Sequence, residues 1–313
     1  MFFLTKKIIL DCDPGHDDAV AMILAYGNPE IDLLAVTTVA GNQTLEKVTY
    51  NARSVSTMIG MTDVPIAAGS SKPLVQAHEP ADVHGESGLD GTELPEPEVP
   101  LSDAHAVDLI IETIMRNPAK TVSLVPTGSL TNIALAARKE PKIVDRVKEV
   151  VLMGGGYHEG NWSAVAEFNI ITDPEAAYIV FNENWKVTMV GLDLTHQALA
   201  TPEVFNKIKN INTQPSKFLG ELLEFFKAMY KESQGFDSPP VHDPCTIAYL
   251  IDPSVVDTMS VPVSIELNGN LTRGMTVADF RYPIPENCNT AVATNLDRNK
   301  FWELIYDALK NIG

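Results

Sequence analysis

The sequence has little positive charge, few cysteines and no long hydrophobic run. Its 313 residues contain 23 Lys and Arg against 41 Asp and Glu, which gives a formal net charge of −18. Because such a surface repels phosphate groups and anionic lipid headgroups, we expect neither nucleic acid nor membrane among the partners. A neutral or cationic small molecule, or a metal cation, is the partner that this charge favours.

The cysteines and the N-terminus bear on the cellular compartment. Cys12, Cys245 and Cys288 are odd in number, widely spaced and without a C-x-x-C pair, which is typical of reduced thiols. Residues 1–7 place apolar side chains before basic ones, the reverse of the order in a signal peptide. No apolar run approaches the roughly 20 residues of a membrane span. These features predict a cytoplasmic protein.

Short apolar runs alternate with helical patterns along most of the chain. The runs cover residues 8–10, 33–39, 122–125, 150–153 and 187–190, and each ends in a polar or glycine-rich turn. They are mainly apolar and show no alternation of polar and apolar residues, as in strands buried on both faces. The alternation predicts a Rossmann-like α/β fold, a mainly parallel central β-sheet flanked by helices, in one domain over residues 1–313. Ligands of such sheets bind beyond the carboxyl ends of the strands.

Several segments fall outside this alternation. Residues 76–100 are rich in Pro, Gly, Glu and Asp, and we interpret them as a long surface loop with the role of a lid. Residues 215–233 predict an amphipathic helix, and another helical pattern begins near His242. Residues 261–267, 275–280 and 290–296 predict a few added antiparallel strands, and residues 298–311 predict a final helix.

The strongest chemical signal is a run of four aspartates, Asp11, Asp13, Asp17 and Asp18, directly after the first predicted strand. A helix dipole favours the last two by only ~0.3–1 kcal/mol each, which is too little to hold four anions together. A divalent cation would hold them, and a ligand set made only of oxygens favours Ca²⁺ or Mg²⁺ over Zn²⁺. The alternative, a solvated helix start with Asp as turn former, needs one aspartate rather than four.

Two weaker patterns add an acid at a distance. In Val241-His242-Asp243-Pro244, Asp243 could supply a further ligand and His242 a proton. In Ala166-Glu167-Phe168-Asn169, an acid and an amide flank an aromatic ring. Taken singly, each pattern also fits a helix cap or the end of a surface strand. Sequence signatures of dinucleotide sites, P-loops and nucleophile-elbow hydrolases are absent.

At matching spacing, these motifs resemble the inosine–uridine-preferring nucleoside hydrolase family, and most of all its trypanosomatid members. The run Ile8-Ile9-Leu10-Asp11-Cys12-Asp13-Pro14-Gly15-His16-Asp17-Asp18-Ala19 is similar to the family's fingerprint. The further matching motifs are Val39-Ala40-Gly41-Asn42-Gln43-Thr44, His84-Gly85-Glu86-Ser87-Gly88, Val125-Pro126-Thr127-Gly128, Leu152-Met153-Gly154-Gly155-Gly156, Ala166-Glu167-Phe168-Asn169, Gly191-Leu192-Asp193-Leu194-Thr195 and Val241-His242-Asp243-Pro244. The resemblance covers essentially the whole chain.

The resemblance implies an activity and an assembly. The activity is Ca²⁺-dependent hydrolysis of the N-glycosidic bond of ribonucleosides to ribose and free base, in nucleoside salvage. The expected substrates are inosine and guanosine, with uridine as a further one, and a preference for pyrimidines is the alternative. The expected assembly is a homotetramer or a homodimer.

The resemblance also implies roles for individual residues. The Ca²⁺ ligands are Asp13, Asp18, the backbone carbonyl of Thr127 and Asp243. Asp13 is also the general base and His242 the acid for the leaving group. Asp17 and Asn169 bind the ribose 2′- and 3′-hydroxyls. Asn161 and Glu167 bind the 5′-hydroxyl, and Asn42 lines the same site. The sugar- and base-side shell adds His84, Met153, Phe168 and Tyr230, and Asp11 lies behind the ligands.

Two rival interpretations remain open from the residues alone. A Mg²⁺-dependent phosphohydrolase with a D-x-D nucleophile is disfavoured, because Gly15 stands where such enzymes carry Thr or Val. A non-catalytic binder of sugar or Ca²⁺ does not account for His242. The segment 231–240 departs most from the family pattern, so base preference depends on it and on Trp162, which we hypothesise to stack on a base.

Overall fold

The predicted apolar strands form one sheet. The computed structural model describes residues 5–313, so residues 1–4, which carry part of the prediction about a leader, lie outside the described range. The strands are β1 (Lys6–Cys12), β2 (Ile31–Thr38), β3 (Ile66–Ala68), β4 (Val122–Pro126), β5 (Val150–Met153), β6 (Val187–Val190), β7 (Val256–Ser260), β8 (Val263–Ile265), β9 (Thr276–Ala278) and β10 (Thr290–Leu296). The helices are α1 (His16–Gly27), α2 (Leu45–Met58), α3 (Ala106–Arg116), α4 (Thr131–Lys139), α5 (Lys142–Arg146), α6 (Phe168–Thr172), α7 (Pro174–Asn182), α8 (Leu192–Thr195), α9 (Pro202–Ile211), α10 (Gln214–Gln234), α11 (Pro244–Ile251) and α12 (Arg298–Asn311).

Eight strands pair in the order β3-β2-β1-β4-β5-β6-β10-β7, and all except the edge strand β7 run parallel. The first six follow the strand order of the Rossmann fold, which changes direction between β1 and β4. A crevice opens at such a point, because the two connections leave the sheet on opposite sides. The prediction of an α/β fold with a mainly parallel sheet is confirmed.

Both faces of the sheet are buried, which explains why the strands lack alternation. Within β1, Ile8 and Leu10 pack with α1, α10, α11 and α12, whereas Ile9 packs with α3, α4 and α7 on the other face. Every second side chain of a strand points to the same face. In a strand covered on both sides, consecutive positions are therefore buried, and apolar residues follow one another without alternation.

The helix boundaries follow from local chemistry. The predicted helix over residues 215–233 is confirmed as α10, where Thr213 and Ser216 cap each other's backbone N–H groups. It ends at Gly235, whose φ of 77° lies in the left-handed region that favours glycine. The α1 helix begins after Gly15, so Asp17 and Asp18 occupy its first turn as predicted.

The C-terminal strands correct one expectation. We expected residues 290–296 to be an added antiparallel strand, but β10 pairs parallel with β6 and antiparallel with β7. The sequence does not predict β7, because four of its five residues are exposed and show no apolar alternation. Only β8 and β9 form the expected antiparallel pair, and both are shorter than predicted.

The loop at residues 76–100 lies against the carboxyl ends of the strands. One turn of 3-10 helix, Asp82–His84, is its regular structure. Leu89 and His84 are buried, and the Ala81 backbone N–H donates to the Asn42 carbonyl at 3.1 Å. The loop is thus packed over this edge of the sheet, and its movement as a lid stays a prediction.

Two observations bear on the surroundings of the protein. Cys12, Cys245 and Cys288 are all free thiols. Within residues 5–313, no helix combines the length and the apolar character needed to span a membrane.

A buried aspartate joins three parts of the fold and gives a test of stability. Asp173 accepts hydrogen bonds from the Ala176 N–H at 3.0 Å, the Leu74 N–H at 2.8 Å and the Thr131 hydroxyl at 2.6 Å. Because Asp173→Ala leaves the two N–H groups without an acceptor and the Thr131 hydroxyl with only Ser129 Oγ, 3.2 Å away, we expect the free energy of unfolding to fall by roughly 3 kcal/mol. Urea unfolding measures this loss.

The matched control is Asp297→Ala, which removes a partly exposed cap of α12 with one backbone donor. We expect a loss of about 1 kcal/mol there. Equal losses in the two variants would contradict the bridging role of Asp173.

Candidate active site

The crevice between β1 and β4 opens into a cavity at the carboxyl edge of the sheet. Its volume of about 240 Å³ is slightly below the roughly 300–1,000 Å³ of typical small-molecule sites. The lining residues are Asp17, Asn42, Ala81, Val83, His84, Thr127, Met153, Asn161, Trp162, Glu167, Phe168, Asn169, Tyr230, Ser233, Gln234, His242 and Asp243. All the predicted site residues are among them except Asp13 and Asp18, which are fully buried and contact lining residues.

The acidic motif is held by backbone and hydroxyl donors. Asp13 Oδ2 accepts from the Asn42 backbone N–H at 2.6 Å. Asp18 Oδ2 accepts from the Gly15 N–H at 3.0 Å, and Asp18 Oδ1 accepts from the Thr127 hydroxyl at 2.8 Å. These contacts join the turns after β1, β2 and β4, so the strand ends fix the positions of the carboxylates.

Two glycines leave room for the carboxylate of Asp13. A Cβ at Gly41 would lie 2.0 Å from Asp13 Oδ2, and a Cβ at Gly128 would lie 2.6 Å from Asp13 Oδ1. Neither position can carry a side chain without moving the carboxylate. The turns that the sequence marks as glycine-rich therefore enclose Asp13 with backbone.

Three carboxylates face one another within this cluster. Asp17, Asp18 and Asp243 each offer an oxygen, and these oxygens lie within 4.8 Å of one another. Asp13 falls outside that group, but its buried Oδ1 has no hydrogen-bond partner. Among residues 5–313, no Lys or Arg forms an ion pair with any of these four acids.

Burial raises the pKa values of all four carboxyls, and repulsion between them adds to this for Asp13, Asp17 and Asp243. The pKa of Asp17 rises to about 7 and that of Asp18 to about 6, while those of Asp13 and Asp243 lie well above the usual range. A cation would offset both effects, because it favours the charged form. With oxygen ligands and an unpartnered buried Oδ1, the acidic cluster fits a hard metal ion.

Asp11 lies behind this cluster. Its Oδ1 accepts from the Thr37 hydroxyl at 2.6 Å and from the Asn132 amide at 2.8 Å, and its Oδ2 has no partner. Burial raises its pKa to about 7. Its position agrees with the interpretation that Asp11 supports the ligands from behind.

A second wall of the cavity is built on the start of α6. The Glu167 carboxylate accepts from the backbone N–H groups of Asn169, Ile170 and Gly155 at 2.8–3.1 Å, and burial raises its pKa to about 7. The Asn169 amide donates to the Thr127 carbonyl at 2.7 Å, which ties this wall to the acidic cluster. Asn161 Oδ1 accepts from the Phe168 N–H at 2.9 Å.

The opposite wall holds a histidine between two hydroxyls. His242 Nδ1 lies 2.7 Å from the Thr195 hydroxyl, and His242 Nε2 lies 2.7 Å from the Tyr230 hydroxyl. Burial, and then the nearby His196, lowers the pKa of His242 well below its usual range, which favours the neutral ring. A neutral imidazole donates at only one nitrogen, so its partners decide which nitrogen that is.

His84 reaches the cavity from the loop. Its ring stacks on those of His16 and Phe226 with centroids 5.3 and 5.4 Å away, and its Nδ1 lies 3.1 Å from His16 Nδ1. Burial lowers the pKa of both imidazoles, that of His16 to about 4. His16 is thus the buried support of His84.

Some residues of the site are predicted only through the segments that hold them. Ala81 and Val83 line the cavity from the predicted lid, and Ser233 and Gln234 line it from the segment 231–240, but none of the four belongs to a recognised motif. Thr195 lies in the matched motif after β6, but nothing marked its hydroxyl. Trp162 lines the cavity beside Phe168, at 5.5 Å between ring centroids, so the hypothesis of base stacking remains compatible with its place.

Comparison with known proteins agrees with this arrangement. The family model described as inosine-uridine preferring nucleoside hydrolase matches residues 8–303. The chain is 61% identical to the enzyme of that name from Crithidia fasciculata over 312 residues, and 60% identical to that of Leishmania major over 313 residues, with 99% of each chain covered. The structure of the purine-preferring ribonucleoside hydrolase from Gardnerella vaginalis superimposes with a TM-score of 0.91 at 33% identity, over 98% of this chain and 99% of that one.

Fold and site together are therefore those of hydrolases that act on N-glycosyl compounds. Within this class, the chain belongs to the inosine-uridine preferring nucleoside hydrolase family. The family and the enzyme class predicted from the sequence are confirmed.

The acidic cluster links metal binding to pH. The folded-state pKa values of Asp17 and Asp18, about 7 and about 6, are above the unfolded value of roughly 3.9. Between these values the unfolded chain loses protons that the folded chain keeps, so the cluster lowers the stability of the metal-free protein as pH rises. A cation that replaces the protons therefore stabilises the protein more at high pH.

We expect the rise in melting temperature on adding Ca²⁺ to chelator-treated protein to be larger at pH 8 than at pH 5.5. Thermal unfolding with and without Ca²⁺ at each pH measures this rise. Titratable groups remote from the site affect both melting temperatures at a given pH, so their contribution cancels in the difference. Asp243→Asn is the matched variant, and we expect it to reduce the rise at pH 8. A rise that is equal at both pH values would contradict the linkage.

Proposed function

We propose that this chain is a Ca²⁺-dependent ribonucleoside hydrolase that releases ribose and a free base. The observation that carries the proposal is a cluster of buried carboxylates without a basic partner, open to a cavity whose other wall holds His242 and Tyr230. Family membership supports the reaction, and the oxygen-only donors support the choice of cation.

The proposed Ca²⁺ ligands are Asp13, Asp18, the Thr127 carbonyl and Asp243. The unpartnered Asp13 Oδ1 and the short oxygen distances around Asp18 and Asp243 support this set. Asp17 belongs to the same close group, so it lies where it can bind both the cation and a sugar hydroxyl. When bound, Ca²⁺ supplies positive charge that acidifies water and orients the sugar hydroxyls.

We infer that the ribose lies between the acidic cluster and the α6 wall. Asp17 and Asn169 bind its 2′- and 3′-hydroxyls, Asn161 and Glu167 its 5′-hydroxyl, and Asn42 lines the same side. Asn169 supports this placement, because its amide already contacts the Thr127 carbonyl. A substrate without the 2′-hydroxyl leaves buried polar groups unpaired and reacts poorly.

Cleavage of the N-glycosidic bond places positive charge on the ribose ring, as in other glycoside hydrolysis. The local excess of carboxylates stabilises that charge. Asp13 Oδ1 takes a proton from the water that attacks the anomeric carbon. The departing base keeps the electron pair of the broken bond and receives a proton from the pair His242–Tyr230.

The base lies against His84, Met153, Phe168, Tyr230 and His242. We propose 6-oxopurine nucleosides as the first substrates and uridine as a further one, with a pyrimidine preference as the alternative that the assay below decides. The names of the Crithidia and Leishmania enzymes support inosine and uridine. Ser233 and Gln234 lie in the segment that differs most from the family pattern and line this side of the cavity.

We also propose that residues 1–313 act as a single domain in a cytoplasmic homodimer or homotetramer. One sheet that runs from β1 to β10 supports the single domain. Three free thiols support a reducing compartment. Exposed Phe280, Tyr282 and Ile284 support contact with a second copy.

The direct test is release of reducing sugar from inosine, guanosine, adenosine, uridine and cytidine, with and without chelator. We expect the fastest release from inosine or guanosine, and a loss of activity in chelator that added Ca²⁺ restores. The matched control substrate is 2′-deoxyinosine, for which we expect a much lower rate. Absence of ribose from all five would refute the hydrolase, and full activity after complete metal removal would refute the role of Ca²⁺.

The general base has its own test. For Asp13→Ala we expect kcat to fall by at least ~10²–10⁴-fold, because the attacking water loses its proton acceptor. Steady-state kinetics with inosine measures it, and circular dichroism checks that the variant is folded. A nearly normal kcat in folded Asp13→Ala would assign the base to another residue.

A further inference from the structure

The imidazole of His242 is held at both nitrogens. Thr195 Oγ1 and Tyr230 OH each lie 2.7 Å from one ring nitrogen, and all three side chains are buried. Tyr230 and His242 line the cavity, whereas Thr195 does not. Thr195 therefore contacts the ring from behind, on the side away from the substrate.

The backbone fixes the position of the Thr195 hydroxyl. Thr195 ends α8, the short helix after β6, and its N–H donates to the Gly191 carbonyl at 3.0 Å. At the start of the same helix, the Leu192 N–H donates to the Gly155 carbonyl at 2.8 Å, which ties α8 to the turn after β5. The hydroxyl is thus anchored to two neighbouring strand ends.

Among residues 5–313, no other group hydrogen-bonds to His242 Nδ1. The nearest ring, His196, lies edge-on with its centroid 5.7 Å away, and its own Nδ1 contacts Glu159 at 2.9 Å. Without Thr195, the imidazole would have one hydrogen bond, to Tyr230, and could rotate about it. The hydroxyl of Thr195 is therefore the contact that keeps Nε2 aimed at Tyr230.

We propose that Thr195 is a positioning residue for protonation of the leaving base, acting through its hydrogen bond to His242 Nδ1. This inference rests on the proposed function. As the glycosidic C–N bond breaks, the base takes its electron pair and needs a proton at a ring nitrogen. A misaligned His242–Tyr230 pair delivers that proton more slowly, but leaves sugar binding and the attack of water unchanged.

The test compares two leaving groups. Inosine loses hypoxanthine, which needs a proton to depart readily, whereas 4-nitrophenyl β-D-ribofuranoside loses a phenolate that is stable without one. For Thr195→Val, which keeps the shape and removes the hydroxyl, we expect kcat with inosine to fall about tenfold, the effect of one hydrogen bond. We expect KM for inosine, and kcat with the nitrophenyl riboside, to change by less than about twofold.

Two variants serve as controls. Thr195→Ser keeps the hydroxyl, and we expect it to restore most of kcat with inosine. Thr290→Val removes a buried hydroxyl that donates to the Val261 carbonyl at the amino ends of the parallel strands, away from the cavity. We expect no change in kcat with either substrate. If Thr195→Val fails to fold, Thr195→Ala takes its place in the same comparison.

The outcomes separate the two proposals. A selective loss with inosine that Thr195→Ser restores supports the positioning role. Equal losses with both substrates, no loss with either, or failure of Thr195→Ser to restore kcat would overturn it. A wild-type protein that hydrolyses neither substrate would refute the proposed function itself, and the role of Thr195 with it.

Discussion

The structure depends on holding several carboxylates together in a buried place without a basic residue beside them. Such a group repels itself and loses hydration, so it is stable only when protons or a cation compensate. The fold supplies rigid donors instead of a counterion: the Asn42 and Gly15 N–H groups and the Thr127 hydroxyl. Because these come from the turns after β1, β2 and β4 and from the start of α1, the crevice of a Rossmann-like sheet is what makes the acidic site possible.

The sequence predicts the location of these carboxylates well, because the local pattern of an apolar strand followed by polar residues determines it. Strands buried on both faces need unbroken apolar runs, and the polar residues that follow must lie at the carboxyl edge. The position of Asp13, Asp17 and Asp18 after β1 therefore predicts their location at this edge, and the structure has them there. Asp243, far away in sequence, was only a weak pattern by itself, and the family resemblance connected it to the others.

Other parts could not be predicted because their cause is not local. The strand β10 has the same composition whether it pairs parallel or antiparallel, and its place between β6 and β7 depends on the path of the whole chain. Thr195 looks like any threonine at the end of a short helix. Its proposed role depends on the contact between its hydroxyl and His242, which lies 47 positions away in the sequence.

The two sides of the cavity depend on different structural elements. Substitutions on the two sides therefore have different consequences for substrate specificity. The proposed ribose side rests on strand ends and on the buried cap Glu167, whose carboxylate accepts hydrogen bonds from three backbone N–H groups. A substitution there disturbs the fold as well as the site. The proposed base side includes the last turn of α10, where Gln234 stands just before Gly235. Because few backbone contacts depend on that side chain, it can vary while the carboxylates, and with them the chemistry on the sugar, stay in place.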